Sequence, residues 1–186
     1  MKLVIERGKK GETLLIEGAT QNNMLGGSFR NFQGAKRKAP NGTVVNDEGK
    51  RNFNLSLTDL PLEALDELVS IGVKVKELPP KNDEYGDEPL RFVKVNVAMD
   101  GLYPPELKLI SANGKQKTLT ENQLAMLDGC RFRNVDLIIR TYHRDENTTT
   151  LYLQKGFFTI EQDPISAKYE DVDLGEEDDD NTPPFD

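Results

Sequence analysis

The sequence predicts a mainly β domain, an antiparallel barrel that is closed or nearly closed and carries one or two short helices, followed by an acidic tail too polar to fold. Short β-forming runs with period-two alternation recur between turn signals along most of the chain. Only two segments carry helix-start signals, and residues 170–186 collect nine carboxylates with no basic residue. Many strands with so little helix to cover a sheet face are best satisfied by a sheet that curls around its own core. The expected division is residues 1–169 as one folded domain and 170–186 as the tail.

The apolar runs 2–7 and 12–17 flank Gly8-Lys9-Lys10-Gly11, which reads as a hairpin with a basic turn. A strand between glycines is expected over 26–34, with Phe29 inward and Phe32 and Arg30 outward. Lys36-Arg37-Lys38-Ala39-Pro40-Asn41-Gly42 then reads as a basic loop. Phe53, Leu55 and Leu57 recur at period two in a strand over 51–58. Thr58-Asp59 ahead of Pro61 starts a helix with Leu62, Leu65, Leu68 and Val69 on one side, ending at Gly72. A strand over 73–78 precedes a loop to Pro89. In the strand 90–99, Val93, Val95, Val97 and Met99 share one face, and Phe92, Lys94 and Asn96 form a basic-aromatic surface on the other. Residues 107–110 suit a strand, and Thr120-x-x-Gln123 fits a capping box that opens a helix through Leu127. Leu137 and Ile139 point to one side of a strand over 135–144, with Ile138, Arg140, Tyr142 and Arg144 on the other. Asp145-Glu146-Asn147 turns the chain into an antiparallel partner over 150–162 bearing Tyr152, Lys155, Phe157 and Phe158.

The chain has 186 residues, no tryptophan and 30% charged residues, so the core must come mainly from Val, Leu and Ile. The opening Met1–Arg7 reaches charge after three apolar residues, which predicts neither a signal peptide nor a membrane span, and a single cysteine that cannot form an internal disulfide suits a reducing cytoplasm. Cys130 is the only cysteine and His143 the only histidine, so a His/Cys zinc set is excluded and Cys130 is expected as a buried thiol. No glycine-rich phosphate loop is present, since Gly8-Lys9-Lys10-Gly11-Glu12-Thr13 lacks the Gly-Lys-Ser/Thr ending. No catalytic residue, metal site or cofactor is therefore expected. Loose Mg²⁺ association with Asp178-Asp179-Asp180 is the most that a segment without a core would support.

The net charge of −8 describes two electrostatic objects. Without the nine tail carboxylates, 23 acidic residues face 24 basic ones, so an acidic whole does not argue against a polyanionic ligand. Basic groups neutralise phosphates while aromatic faces stack on unpaired bases, and neither contact needs a particular sequence. That combination points to Arg30, Phe32, Lys36, Arg37, Lys38, Arg51, Phe92, Lys94, Arg140, Tyr142 and Tyr152 as a path for a single nucleic-acid strand. Neither expected helix is basic, which disfavours reading of duplex DNA through a helix.

The tail ends in Pro183-Pro184-Phe185-Asp186 after Asp178-Asp179-Asp180. Acidic residues steer such a segment to a basic patch on a partner, where one aromatic and two stiff prolines fill a pocket; the same segment competes with DNA for the body's basic path. This ending resembles the acidic tip of bacterial single-stranded DNA-binding proteins, which docks on replication and repair proteins, but it inserts Asn181-Thr182 and finishes on Asp186 where that family ends on Phe. The body is similar to a family of phage and mobile-element single-stranded DNA-binding proteins in four blocks: Asn31-Phe32-x-Gly34, Gly49-x-Arg51-Asn52-Phe53, Asn134 to Tyr142, and Phe158-Thr159-Ile160-Glu161. The resemblance implies an OB-fold-like barrel that coats single-stranded DNA during replication or recombination in a bacterial host's cytoplasm, with no catalytic residues to carry over. The rival readings are an adaptor or anti-host factor whose tail mimics DNA, an RNA-binding OB module, and a small nuclease. Free sheet edges leave pairing into a homo-oligomer open.

Overall fold

Lys9 and Lys10 sit at the tip of a tight hairpin, and the rest of the fold is laid down beside it. The computed structural model of the chain describes residues 1–80 and 88–161. β1 (Lys2–Gly8) and β2 (Gly11–Ala19) pair antiparallel, Lys2 opposite Glu17 through Gly8 opposite Gly11, as their alternation predicts. The strand expected over 26–34 shrinks to a 3-10 turn at 27–29 and the two-residue β3 (Arg30–Asn31). The backbone N–H groups of Phe32 and Gln33 donate at 2.8 Å to the Asp128 carboxylate, which takes them from any neighbouring strand. The basic stretch expected as a loop is a small separate hairpin of β4 (Arg37–Lys38) and β5 (Val44–Asn46).

β6 (Arg51–Ser56) buries Phe53 and Leu55 as its period requires. In α1 (Leu62–Ser70), Leu65 and Leu68 are buried, but Leu62 and Val69, expected on the same apolar side, are exposed. A short helix lying on a sheet covers only one narrow stripe of its own surface. Gly72 closes the helix in the left-handed region, φ 80°, and its N–H donates to Val69 O. β7 (Lys76–Leu78) begins later than expected, because Val73 forms an isolated parallel bridge to Thr149. β8 (Leu90–Val97), β9 (Glu106–Ile110) and β10 (Gln116–Thr118) follow, and the predicted capping box of Thr120 and Gln123 leads into α2 (Met126–Gly129). The long strands β11 (Phe132–Asp145) and β12 (Thr148–Ile160) complete the described residues.

The strands run in the order β1-β2-β11-β12-β8-β6-β3, with β7 on β8, β9 on β12 and β10 on β9. The pairing is not wholly antiparallel: β12 lies parallel to β8 at residues 151–152 and to β9 at 155–159, so its far edge serves two strands in succession. The expected mainly β, barrel-like architecture is observed, but the sheet does not close as a ladder. Its ends are tied instead just past β2, where Met24 bridges Leu55 of β6, Leu25 N–H donates to Asn54 O at 3.2 Å and Ser56 N–H to Asn23 O at 2.7 Å. Inward residues of β2, β6, β8, β9, β11 and β12 join α1 and α2 in one hydrophobic core. No helix among the described residues is long and apolar enough to cross a membrane.

Candidate nucleic-acid interface

Three residues expected along an exposed strand path are buried. Phe32 is fully buried, stacked on Phe53 at 5.2 Å and edge-on to Phe158 at 5.7 Å, so it is a core residue and offers no face to a base. Arg30 shares its side of the chain with Phe32, as expected, but that side is the inner one. Its guanidinium donates to Met24 O at 2.7 Å, Cys130 O at 2.8 Å and Leu127 O at 3.1 Å, and it lies over the Phe132 ring. Burial lowers its pKa and Asp128 opposes the shift, but a guanidinium stays charged. Phe92 is buried beneath Phe29, ring centroids 5.4 Å apart, so the expected order of the two rings is inverted: Phe29, read as core, is half-buried above it.

The other basic candidates differ in availability. Arg37 holds the β4–β5 hairpin to the preceding segment, donating to Ser28 O at 2.6 Å and Arg30 O at 2.5 Å. Arg51 is mostly buried and paired with Glu121 at 2.9 Å. Lys36 and Lys38 flank Arg37 with exposed side chains, and Lys94 is exposed on β8. Arg140, Tyr142 and Tyr152 come together in one surface depression.

That depression is an open groove of about 1340 Å³ between the β1–β2 turn, the loop 98–105 and the outer faces of β11 and β12. Its basic residues are Lys9, Lys10, Arg140 and Lys155, and its aromatic ones Tyr103, Tyr142 and Tyr152. Tyr142 is 60% and Tyr103 85% exposed, so both present ring faces to solvent, and Leu102 stands out beside Tyr103. Arg140 Nε donates to Gln154 Oε1 at 3.0 Å, which orients the guanidinium, and its other donors have no partner among the described residues. Cations that make no ion pair among the described residues, set among tyrosine rings, are what a strand of phosphates and unstacked bases requires. Lys9, Lys10, Leu102, Tyr103 and Lys155 were not singled out from the sequence as site residues. The basic turn at 9–10 was the one available signal.

The strand register extends this floor across the sheet. Thr13 lies opposite Arg140, Arg140 opposite Tyr152, Tyr152 opposite Asn96, and Asn96 opposite Asn52. Directly opposed residues share a face. The core sides of the same strands carry Ile139, Leu153, Val95 and Phe53, so this polar row is the outer one. At its far end Asn52 Nδ2 donates to Asn46 Oδ1 at 2.8 Å, linking the row to the β4–β5 hairpin with Lys36 and Lys38. A continuous band of polar and basic residues thus crosses five strands, about 20 Å at sheet spacing.

Glu12 and His143 fix the groove's rim. His143 Nε2 and Glu12 Oε2 are 2.7 Å apart, His143 Nδ1 meets Thr149 Oγ1 at 2.8 Å, and Thr141 Oγ1 donates to the same carboxylate at 3.0 Å. Burial pushes the Glu12 pKa up, but the bonds from His143 and Thr141 outweigh it and leave the carboxyl below its ordinary value. The single histidine is thereby a brace between two turns. Cys130 is half-buried, and burial raises its thiol pKa. No group of three or more His, Cys, Asp or Glu among the described residues is placed to hold a metal ion. The tail residues Asp178, Asp179, Asp180, Pro183, Pro184 and Phe185 lie outside the described residues.

A family model described as a putative phage ssDNA-binding domain matches residues 9–185. Among solved structures, the single-stranded DNA-binding protein from bacteriophage Enc34 is 13% identical, with 96% of each chain covered and a TM-score of 0.43. Its C-terminal truncation is 13% identical over 88% of this chain and 96% of that one, TM-score 0.43. The same protein in complex with ssDNA is 14% identical over 88% and 98%, TM-score 0.42. No curated protein matches the chain.

Proposed function

The chain belongs to the putative phage ssDNA-binding domain family, and from that premise we propose that it coats single-stranded DNA without sequence preference during phage replication or recombination. The groove carries the reading: Lys9, Lys10, Arg140 and Lys155 neutralise phosphates while Tyr103, Tyr142 and Tyr152 stack on bases. Both contacts are blind to sequence, because every base has a π-face and every nucleotide a phosphate. Binding of this kind needs no cofactor, and no reaction is proposed.

In this reading residues 1–169 are the DNA-binding domain and 170–186 a recruiting tail. Asp178, Asp179 and Asp180 attract a basic patch on a replication or recombination protein, and Pro183, Pro184 and Phe185 dock there. The setting is the cytoplasm of the bacterial host.

The test is fluorescence anisotropy of a labelled mixed-sequence single strand, its duplex and the matching RNA, titrated with the full chain and a 1–169 truncation at two salt concentrations. Preference for single-stranded DNA, tighter binding by the truncation and loss of affinity with salt are expected. No binding by either protein at low salt would overturn the proposal in favour of an adaptor, and equal binding of RNA would make it a general single-strand binder.

A further inference from the structure

Phe92 lies opposite Lys76 in the β7–β8 register, and Lys94 follows two residues later on the same outer face of β8. Diagonal neighbours across a sheet are within reach of one another when the side chains are long. Both lysines are exposed, and neither makes an ion pair among the described residues. The nearby Glu77 carboxylate is taken by Arg91 at 3.1 Å, on the opposite face of the pair of strands. Among the described residues the two ammonium groups thus face each other with no carboxylate between them: partial burial of the Lys94 amine lowers its pKa first and Lys76 second. Asn54, opposite Lys94 on β6, donates to Phe29 O at 2.8 Å and so holds the Phe29 ring over Phe92, beside the lysines.

An aromatic ring with part of its surface in solvent, next to two cations that make no ion pair among the described residues, has the composition of a seat for one nucleotide. We propose that Phe29, Lys76 and Lys94 form a second nucleotide seat, outside the tyrosine groove, in which the lysines take backbone phosphate and Phe29 takes a base. The seat rests on the proposed single-strand binding and sets its direction. Lys94 lies two residues along β8 from Asn96 of the polar row, about 7 Å at strand rise. A strand leaving Tyr152 thus reaches the seat by crossing β8, rather than running only toward the β4–β5 hairpin.

Oligothymidylates from about 4 to about 16 nucleotides span the site sizes of such domains and separate the two stations. They would be titrated against the full chain, the double variant Lys76→Ala/Lys94→Ala, the variant Phe29→Leu, which keeps apolar packing on Phe92, and the groove variant Arg140→Ala/Tyr152→Ala. The lysine variant is expected to bind the shortest strands as the parent does and the longest about tenfold more weakly. Its salt slope on long strands should flatten by about 1.4, two single-strand phosphate contacts at about 0.7 each. Phe29→Leu should weaken only the long strands.

Unchanged affinity and slope for the lysine variant at every length, with binding lost in the groove variant, would overturn the seat and leave the groove reading standing. Equal weakening at all lengths would also overturn it, since a diffuse charge effect does not depend on reach. Loss confined to the lysine variant, with the groove variant unaffected, would support the seat and refute the groove.

Discussion

Replacing Phe32 by alanine separates a core ring from a stacking ring. The side chain is fully buried between Phe53 and Phe158. Truncating such a phenylalanine destabilises by about 3–5 kcal/mol, the transfer of the removed atoms plus the cavity they leave. At about 2–4 °C per kcal/mol for a chain of this size, melting should fall by roughly 6–20 °C. Urea unfolding followed by circular dichroism measures the loss as a shift in midpoint at unchanged slope. Single-strand affinity, measured where the variant is still folded, should stay within about twofold of the parent, because the groove does not include Phe32. A stacking ring would behave in the opposite way, leaving stability alone and weakening DNA binding by about 1–3 kcal/mol. A variant as stable as the parent but defective in DNA binding would refute the placement of Phe32 in the core.

Arg30→Ala strips the donors from three carbonyls and should destabilise by about 3–5 kcal/mol in the same urea assay, with Arg30→Lys recovering only part, since one ammonium does not reproduce the guanidinium fork. Gly156→Ala would place a Cβ 2.5 Å from the Phe158 ring, which Phe32 and Phe132 hold in place. It should cost about 1–3 kcal/mol by thermal melting. Because the folded pKa of Glu12 lies below its ordinary 4.5, its contribution to stability is fully present above that pH and is lost as pH falls through the folded value. Urea midpoints between about pH 6 and pH 3 should therefore fall less steeply in Glu12→Gln, with the residual slope including Asp145, whose pKa is lowered first by the Asn147 backbone N–H.

Period-two alternation was sufficient wherever a strand is long and has one wet face. Val93, Val95 and Val97, Phe53 and Leu55, and Leu137 and Ile139 all point inward as their spacing implies. It misled at 26–34 because that segment is not a strand over its length: a 3-10 turn and the distant Asp128 carboxylate set the directions of Phe29, Arg30 and Phe32. No local pattern reports a carboxylate 96 residues away. The exposure of Leu102 and Tyr103 was illegible for a related reason: the loop's Gly-Leu-Tyr-Pro-Pro has no period, and only the placement of β9 beside β12 brings it over Arg140 and Tyr152. Arg140, Tyr142 and Tyr152 were legible because β11 and β12 are long, regular and adjacent.

Basic residues divide by chemistry along this path, and the division explains why counting them overstates the binding surface. Arg30, Arg37 and Arg51 are engaged by the protein itself, on carbonyls or the Glu121 carboxylate, because a planar fork of donors satisfies several fixed acceptors at once. Lys9, Lys10, Lys36, Lys38, Lys94 and Lys155 are left exposed. An ammonium on a flexible, well-hydrated stem gains little from a buried carbonyl but follows a phosphate wherever a strand places it. Binding that ignores sequence favours that tolerance, since successive nucleotides never present identical geometry. Arg140 is the exception in the groove: among the described residues it is the one cation there with a side-chain partner to orient it, Gln154. Of the groove's cations, Arg140 should therefore set strand position, while the lysines set affinity and its dependence on salt.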